Sequence, residues 1–151
     1  MKVEFLEADL HYIHGVVPAI VPRGTGFQVD PANDLNLILA NGTSGHQLER
    51  DVVAALTLQD IAFPDGYVKP YALGATVSAR RVTRMQIEGT DVILTSGTGA
   101  VSGATPVNTA LSYSAGRLRV AQGGDETAFI IREQLTPEDP TQNFRLLLER
   151  P

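Results

Sequence analysis

The sequence predicts a mainly β, single-domain protein, either a β-sandwich or a small barrel, with at most one short helix. Runs rich in Val, Ile, Leu, Thr and Phe recur through residues 87–151, and glycine-containing turns separate them. The 151-residue length is about that of one common domain, and 43% hydrophobic residues are enough for a core. We therefore expect one β-rich domain over residues 32–151. Residues 1–31 are predicted to form an N-terminal arm or the first hairpin of that domain.

Composition excludes several classes of protein. The chain has no cysteine, so a disulfide framework and a thiolate metal site are both ruled out. Its first residues lack the basic end and long apolar run of a secretory signal. No apolar segment reaches the roughly 20 residues that a membrane helix needs. We therefore expect synthesis in the cytosol and no membrane partner.

The net charge of −5 argues against a nucleic-acid partner. Phosphate binding needs a basic stripe with stacking aromatic side chains, and the sequence shows neither. Arg80, Arg81 and Arg84 form its basic cluster. The interpretation we favour for this cluster is a strand with a solvated polar edge.

Prolines interrupt short strand-like pieces in the first part of the chain. Residues 19–21 and 26–29 flank the turn Pro22-Arg23-Gly24-Thr25. The proline-containing segment 16–31 has two interpretations that the sequence leaves open. It is either an arm that docks on a neighbouring molecule with little loss of conformational entropy, or an ordinary first β-hairpin.

Residues 35–40 form a compact apolar run that predicts a strand, and Asn41-Gly42 after it is typical of a hairpin turn. Residues 46–61 are predicted to be the helix of the protein. Apolar side chains fall at helical spacing on one face of that segment: Leu48, Val52, Ala55 and Leu56. Because Val52 and Val53 also suit a buried strand, a strand is the alternative.

Alternation of apolar and polar side chains returns between residues 75 and 88 and predicts one long strand, or a strand bent near Arg81. Four later runs are also predicted to be strands: residues 92–95, 117–121, 127–133 and 144–149. The turns expected around them are Gly89-Thr90-Asp91, Ser114-Ala115-Gly116, Gly123-Gly124-Asp125 and residues 136–140.

Residues 122–127 imitate a known catalytic site. They contain Gly-Gly-Asp-Glu between strand-like flanks, as in diguanylate cyclases, whose glycines admit the nucleotide and whose acids bind metal. Gly45-His46 is similar to an upstream segment of that family, but its distance from Gly123 is too long. The helix pattern of an α/β cyclase is also missing. A Gly-Gly-Asp turn between two strands accounts for the same residues, and this is the interpretation we favour.

Two glycine-rich stretches imitate nucleotide sites. Gly97-Thr98-Gly99 follows an apolar run, as in a dinucleotide-binding loop, but Thr105-Pro106 breaks the helix that such a site requires. Residues 22–27 resemble a motif of trimeric dUTP pyrophosphatases, but that motif belongs near the C-terminus. We interpret both stretches as loops.

The histidines and serines add no site. His11 and His14 would face opposite sides of an extended segment, and His46 has no companion ligand. The serines lack a nucleophile-elbow setting. The sequence therefore predicts no catalytic, cofactor-binding or metal-binding residue, and the protein is not expected to be an enzyme.

Residues 87–151 resemble the capsid decoration, or cement, proteins of tailed bacteriophages. Those proteins combine a Thr/Gly-rich strand, a Thr-Pro-Val loop, a Gly-(Lys/Arg)-Leu strand and a closing strand rich in Arg and Leu. The matching motifs here are Gly97-Thr98-Gly99-Ala100-Val101, Thr105-Pro106-Val107, Leu111-Ser112-Tyr113, Gly116-Arg117-Leu118-Arg119-Val120-Ala121, Gly124-Asp125 and Phe144-Arg145-Leu146-Leu147-Leu148-Glu149-Arg150. The resemblance lies in the residue types of the strands and turns more than in an invariant motif.

The resemblance implies a β-sandwich or small barrel and a homo-oligomer, usually a trimer. It implies a place on the outer capsid surface of the virion, at local threefold axes, after synthesis in the host cytoplasm. The implied partner is the major capsid protein, whose neighbouring subunits the protein would clamp after the head expands. No cofactor and no nucleic acid are implied.

Two alternative functions remain open. The first is a tail or head-fibre module with a receptor-binding surface. The second is a small β-barrel enzyme acting on a nucleotide or sugar, which requires acids such as Asp91, Asp125 and Glu126 to converge in a pocket.

Overall fold

A computed structural model describes residues 2–8, 13–17, 24–30, 32–33, 35–42, 51–54, 73–74, 76–89, 94 and 98–151. These residues form strands and connecting segments, which confirms the mainly β prediction. The strands are β1 (Lys2–Ala8), β2 (Ile13–Val16), β3 (Gly26–Val29), β4 (Leu37–Leu39), β5 (Asp51–Ala54), β6 (Thr76–Arg80), β7 (Val82–Glu88), β8 (Ala110–Ser114), β9 (Arg117–Val120), β10 (Phe129–Leu135) and β11 (Arg145–Glu149).

The strands form two sheets in which the paired strands are antiparallel. The larger sheet has six strands in the order β1-β7-β11-β10-β8-β9 and curls into a half-barrel. The smaller sheet has five strands in the order β2-β6-β5-β3-β4. β1 and β2 follow each other in sequence but belong to different sheets, as do β6 and β7.

The inner face of the six-stranded sheet forms the main core. Alternation along the strands places Val3, Ile87 and Leu146 side by side across β1, β7 and β11. All three are buried, and they belong to one apolar cluster with residues of β8, β9 and β10. Tyr113 and Phe129 meet in this cluster with an edge-on ring contact at 6.4 Å.

The five-stranded sheet encloses a second, smaller group of buried residues. Its outer strands meet at a parallel bridge between Val16 and Asn36, so the sheet curls round until β2 approaches β4. Gly15 permits this approach, because a Cβ atom there would lie 2.6 Å from Leu37 Cγ. Phe27, Leu37 and Ala79 are all buried in this sheet.

Backbone hydrogen bonds join the two sheets at the β8–β9 hairpin. Gly26 N donates to Gly116 O at 3.0 Å, and Gly42 N donates to Tyr113 O at 2.9 Å. Ala40 forms a backbone hydrogen bond with each sheet: its N donates to Gly26 O of β3, and its O accepts from Gly116 N of the β8–β9 turn. The absence of a side chain at Gly26 lets the backbone lie against the Tyr113 ring.

The prediction of a helix over residues 46–61 is wrong at residues 51–54, which form β5, and the strand named as the alternative is confirmed there. This strand pairs with β3 on one side and with β6 on the other. Two sets of interstrand hydrogen bonds outweigh the helical spacing of the apolar residues, since propensity yields to tertiary pairing. Residues 46–50 and 55–61 lie outside the described residues.

The prediction of a hairpin turn at Asn41-Gly42 is also wrong. β4 pairs with the strand before it, β3, and β5 pairs with the opposite side of β3. The two strands that flank Asn41-Gly42 in sequence are therefore not neighbours in the sheet. Gly42 instead places its backbone against β8, where a Cβ atom would lie 3.3 Å from Ser112 Cβ.

The segment 75–88 was predicted to be either one long strand or a strand bent near Arg81, and the structure shows the bend at Arg81. The break divides it into β6 and β7, which lie in different sheets. The alternation shifts phase just after the break, within β7, because Val82 is buried together with Met85 and Ile87. Register shifts in β1 opposite the start of β7 accommodate this change.

Three of the four described C-terminal strands match predicted runs, whereas β8 is a strand that no predicted run includes. β9, β10 and β11 lie within or overlap the predicted runs, and of the run 92–95 only Leu94 is described, bridged to Leu118. Ala115 and Gly116 form a two-residue turn between β8 and β9, and both have positive φ values, 49° and 79°. Such values fit the twist of a tight hairpin.

Candidate functional site

The Gly-Gly-Asp-Glu stretch forms a turn that Asp125 stabilises. Asp125 N donates to Gln122 O at 2.9 Å, which closes the turn. The Asp125 carboxylate accepts two hydrogen bonds from Arg119 Nη2, at 3.0 and 2.8 Å, and one from Gln122 N at 2.8 Å. The Asp125 side chain is 5% exposed and that of Arg119 16%, so the pair is largely shielded from water. Asp125 therefore contributes to the stability of the turn.

The three acids named for the enzyme alternative have different surroundings. Both carboxylate oxygens of Asp125 point to Arg119 rather than to an open pocket. Glu126 is exposed, and its backbone N donates to Gly42 O at 3.0 Å in the contact between the sheets. Asp91 lies outside the described residues.

The glycine loop that imitates a dinucleotide site packs along β9. Gly99 has φ of 80°, and its carbonyl accepts from Val120 N at 2.8 Å. Residues 98–109 then form turns and extended segments up to β8, so no helix N-terminus follows this glycine. The interpretation of this stretch as a loop is confirmed.

The motif at residues 22–27 lies at the junction of the sheets. Residues 22 and 23 are outside the described residues, and Gly24 adopts φ of 90°. Thr25 and Gly26 are buried, and Gly26 lies against the Tyr113 ring. These glycines therefore serve the packing between sheets.

Arginine side chains on the outer face of the six-stranded sheet lie among carboxylates. Arg84 of β7 is opposite Glu7 of β1 and Glu149 of β11. Glu149 also lies 3.8 Å from Arg132 of β10. Arg81 and Arg84 are exposed, as predicted for this cluster, but β6 and β7 are interior strands of their sheets and not edges. The side chain of Arg80 is outside the description.

Arg145 is the centre of a polar network at one end of this face. It donates a short hydrogen bond to Gln86 Oε1, pairs with Glu138 at 2.9 Å and approaches Glu4 at 4.0 Å. A shallow depression open to solvent lies beside it, lined by Glu4, Gln86, Ile87, Glu88 and Arg145. It encloses no space for even a water molecule, whereas sites for small molecules usually measure roughly 300–1,000 Å³.

Two acidic residues order the turn between β10 and β11. Glu88 is buried, and its Oε1 accepts from Asp139 N at 2.9 Å. Asp139 Oδ1 accepts from Thr141 N at 2.9 Å and from Thr141 Oγ1 at 2.7 Å. The hydrogen bond from the Thr141 backbone, followed by that from its hydroxyl, lowers the pKa of the exposed Asp139 below 3.8.

The outer strands of the six-stranded sheet differ in how they are covered. Beside β9, Leu94 forms a bridge with Leu118 and Gly99 O accepts from Val120 N. β1 carries the exposed side chains Glu4, Leu6 and Glu7 and has register shifts against β7. Charges and bulges of this kind hinder the pairing of an edge strand with strands of other molecules.

The histidines and the other possible ligands stay apart within the described ranges. His14 is exposed on β2, while His11 and His46 lie outside the description. Among the described residues no three His, Cys, Asp or Glu side chains are grouped so that they could bind a metal ion. The same residues include no helix long and apolar enough to cross a bilayer.

Sequence reasoning located the turns but missed the partners of their acids. Arg119 and Asp125 are six residues apart, on either side of one turn. A basic residue near the end of a strand, followed by a glycine turn that contains an acid, could have indicated this pair. Glu88 and Asp139 are 51 residues apart and carry no local signal. The Arg145 contact with Gln86 likewise depends on which strands are neighbours, whereas Glu138 lies in the turn just before β11.

No protein-family model, no curated protein and no solved structure matches the chain.

Proposed function

We propose that the protein is a capsid decoration protein of a tailed bacteriophage, which stabilises the expanded head by clamping neighbouring subunits of the major capsid protein. In this proposal it acts as a homo-oligomer, a trimer, on the outer capsid surface. It carries out no chemical reaction and binds no cofactor.

The observation that carries the proposal is the folding of the resembling region as one unit. β11, β10, β8 and β9 are consecutive neighbours in one antiparallel sheet, and they span residues 110–149. The strand and turn motifs behind the resemblance therefore belong to a single continuous scaffold. A protein that reinforces a shell needs a stiff scaffold of this kind, with surfaces that adhere to neighbouring subunits.

The surroundings of the acids support the same proposal. Asp125 and Glu88 contribute to turns, and Asp139 bonds to its own turn, so these carboxylates stabilise shape. On the outer face Arg84 lies between Glu7 and Glu149, and such mixed charge suits contact with a protein surface better than binding to a polyanion.

The proposal is tested by titrating purified protein onto expanded heads assembled without it, from the phage whose genome encodes the chain. Bound protein is measured by sedimentation and densitometry against the major capsid protein. We expect saturation at a fixed ratio to the major capsid protein, across the whole head surface. Binding at only a few sites per particle would favour the fibre alternative, and no binding to heads would contradict the proposal.

A further inference from the structure

Residues 102–108 form a loop that internal hydrogen bonds make rigid. Thr105 N donates to Ser102 O at 3.1 Å, and Ser102 N donates in return to Thr105 Oγ1 at 3.0 Å. Gln134 Nε2 of β10 donates to Thr105 O at 2.6 Å. Thr105 is buried although its neighbours on both sides are exposed, so its side chain lies under the loop and supports it.

The second half of the loop has a backbone conformation that its surroundings maintain. Asn108 has φ of 68°, in the left-handed region that residues other than glycine seldom adopt. Asn108 N donates to Ile131 O at 2.7 Å, and Ile131 N donates to Thr109 O at 3.1 Å. These bonds to β10 fix the conformation after Val107.

The tip of the loop is apolar and exposed. Val107 is 44% exposed, and the adjacent Pro106 is exposed as well. A single exposed valine is common on protein surfaces. Here the exposed valine is part of a rigid loop, so little conformational entropy would be lost when it becomes buried against a partner.

The loop also lies in a segment without charge. No Asp, Glu, Lys, Arg or His occurs between Asp91 and Arg117, although 19% of the whole chain is charged. Exposed residues of the segment therefore include only small, apolar or neutral polar side chains, such as Ser102, Ala104 and Pro106. Depletion of charge distinguishes the centre of a protein interface from the remaining surface.

We propose that the 102–108 loop is the contact through which the protein binds the major capsid protein, with Pro106 and Val107 entering a neutral, apolar hollow on the capsid surface. This inference rests on the proposed function and adds the site of attachment. A charged partner surface does not fit, because its charges would lose water without gaining an opposite charge from the loop. A hollow lined by apolar side chains would gain by covering Val107.

The test compares the full-length protein with three variants in the head-binding titration. Val107→Asp places a charge at the tip, and Val107→Thr keeps the shape of the side chain but replaces a methyl group by a hydroxyl. Leu35→Asp is the matched control, since Leu35 is 71% exposed and precedes β4 in the other sheet. Circular dichroism and urea midpoints verify that each variant is folded.

We expect Val107→Asp to weaken binding to heads about tenfold or more, because a charge would have to be buried at the contact. Val107→Thr should weaken binding by a smaller factor, and Leu35→Asp should bind as the parent does. The oligomeric mass by light scattering should be the same for all four proteins.

Three results would overturn the inference. If the parent saturates heads and Val107→Asp binds equally well, the loop is not the contact, while the proposed function stands. If Val107→Asp reduces the oligomeric mass, the loop contacts a second copy of the chain instead of the capsid. If the parent itself does not bind heads, the proposed function fails and the inference fails with it.

Discussion

Asp125 and Arg119 form a charge-assisted pair that is shielded from water, and each would lose its partner if the other were removed. We expect Asp125→Ala to lower the free energy of unfolding by about 2 kcal/mol, since hydrogen bonds to charged groups contribute on the order of 1.5–3 kcal/mol. Urea unfolding followed by circular dichroism measures this difference.

Gly123→Ala is the matched control for that experiment, because it lies in the same turn and a Cβ atom there meets nothing within 4 Å. It should change the free energy of unfolding by less than about 0.5 kcal/mol. Equal stability of Asp125→Ala and the parent would show that the Gly-Gly-Asp-Glu stretch does not have the structural role assigned to it.

Asp139 provides a prediction about pH at the same scale. Its pKa is lowered below 3.8 because its carboxylate accepts two hydrogen bonds from Thr141. A group whose folded pKa is depressed stabilises the turn above its unfolded pKa, and this contribution is lost as the pH falls through the lower, folded value. The contribution should therefore be complete above about pH 3.8 and disappear in more acidic solution.

An NMR titration of the Asp139 carboxyl carbon measures its pKa directly. We expect a midpoint below 3.8 in the parent. In Thr141→Ala the hydroxyl bond is lost but the backbone bond remains, so the midpoint should rise toward 3.8 without reaching it. A parent midpoint at or above 3.8 would contradict the hydrogen-bond geometry of the turn.

Among the elements, β3 and the β8–β9 hairpin determine how the two sheets meet. A Cβ atom at Gly26 would lie 2.6 Å from Tyr113 Cζ, and the Tyr113 ring is buried in the main core. We expect Gly26→Ala to lower the free energy of unfolding by about 1–3 kcal/mol, because the ring or the strand must shift to remove the overlap. Calorimetry of the two proteins measures the change.

Gly26→Ala in a Tyr113→Leu background tests the assigned cause. Removing the ring removes the overlap, so alanine at position 26 should cost less there than in the parent, a coupling that a double-mutant cycle reports. The same cost in both backgrounds would show that the glycine is required for another reason.

The elements also show how much of the fold the sequence could predict. β9, β10 and β11 were predictable because each is a short run of apolar or β-branched residues bounded by local turns, such as Ala115-Gly116, whereas β8 was not predicted. β5 was not, because its strand state depends on pairing with β3 and β6, which are distant in sequence. The same holds for Asn41-Gly42, whose neighbours pair elsewhere.

The candidate site was less predictable than the strands. The Thr105-Pro106-Val107 motif was visible in the sequence, but its rigidity depends on Gln134 and Ile131 of a separate strand. The contact of Arg145 with Gln86 and that of Glu88 with Asp139 depend in the same way on which strands lie side by side. Local chemistry therefore identified turns, whereas sheet topology determined which side chains meet.

At the scale of the whole molecule, the fold combines a curled six-stranded sheet and a five-stranded sheet with separate groups of buried residues. Backbone bonds from Gly26, Ala40 and Gly42 connect them, so the two sheets support each other. In the proposed function, a scaffold joined in this way would transmit load between neighbouring capsid subunits without a covalent crosslink.

The proposed trimer predicts a defined mass in solution. Light scattering coupled to size exclusion should give three times the chain mass of 16.2 kDa. A mass that falls on dilution would show that the trimer dissociates in solution at low concentration. A monomer mass at every concentration would contradict the trimer in solution, and assembly would then have to take place on the head.

The most direct measurement of the central claim is the temperature at which expanded heads break open. Heads assembled without the protein are heated alone and after saturation with it, and DNA-dye accessibility or light scattering records the disruption. We predict a higher disruption temperature for the saturated heads, because a ligand that binds only the intact shell stabilises it by mass action. An unchanged disruption temperature at saturation would contradict the account.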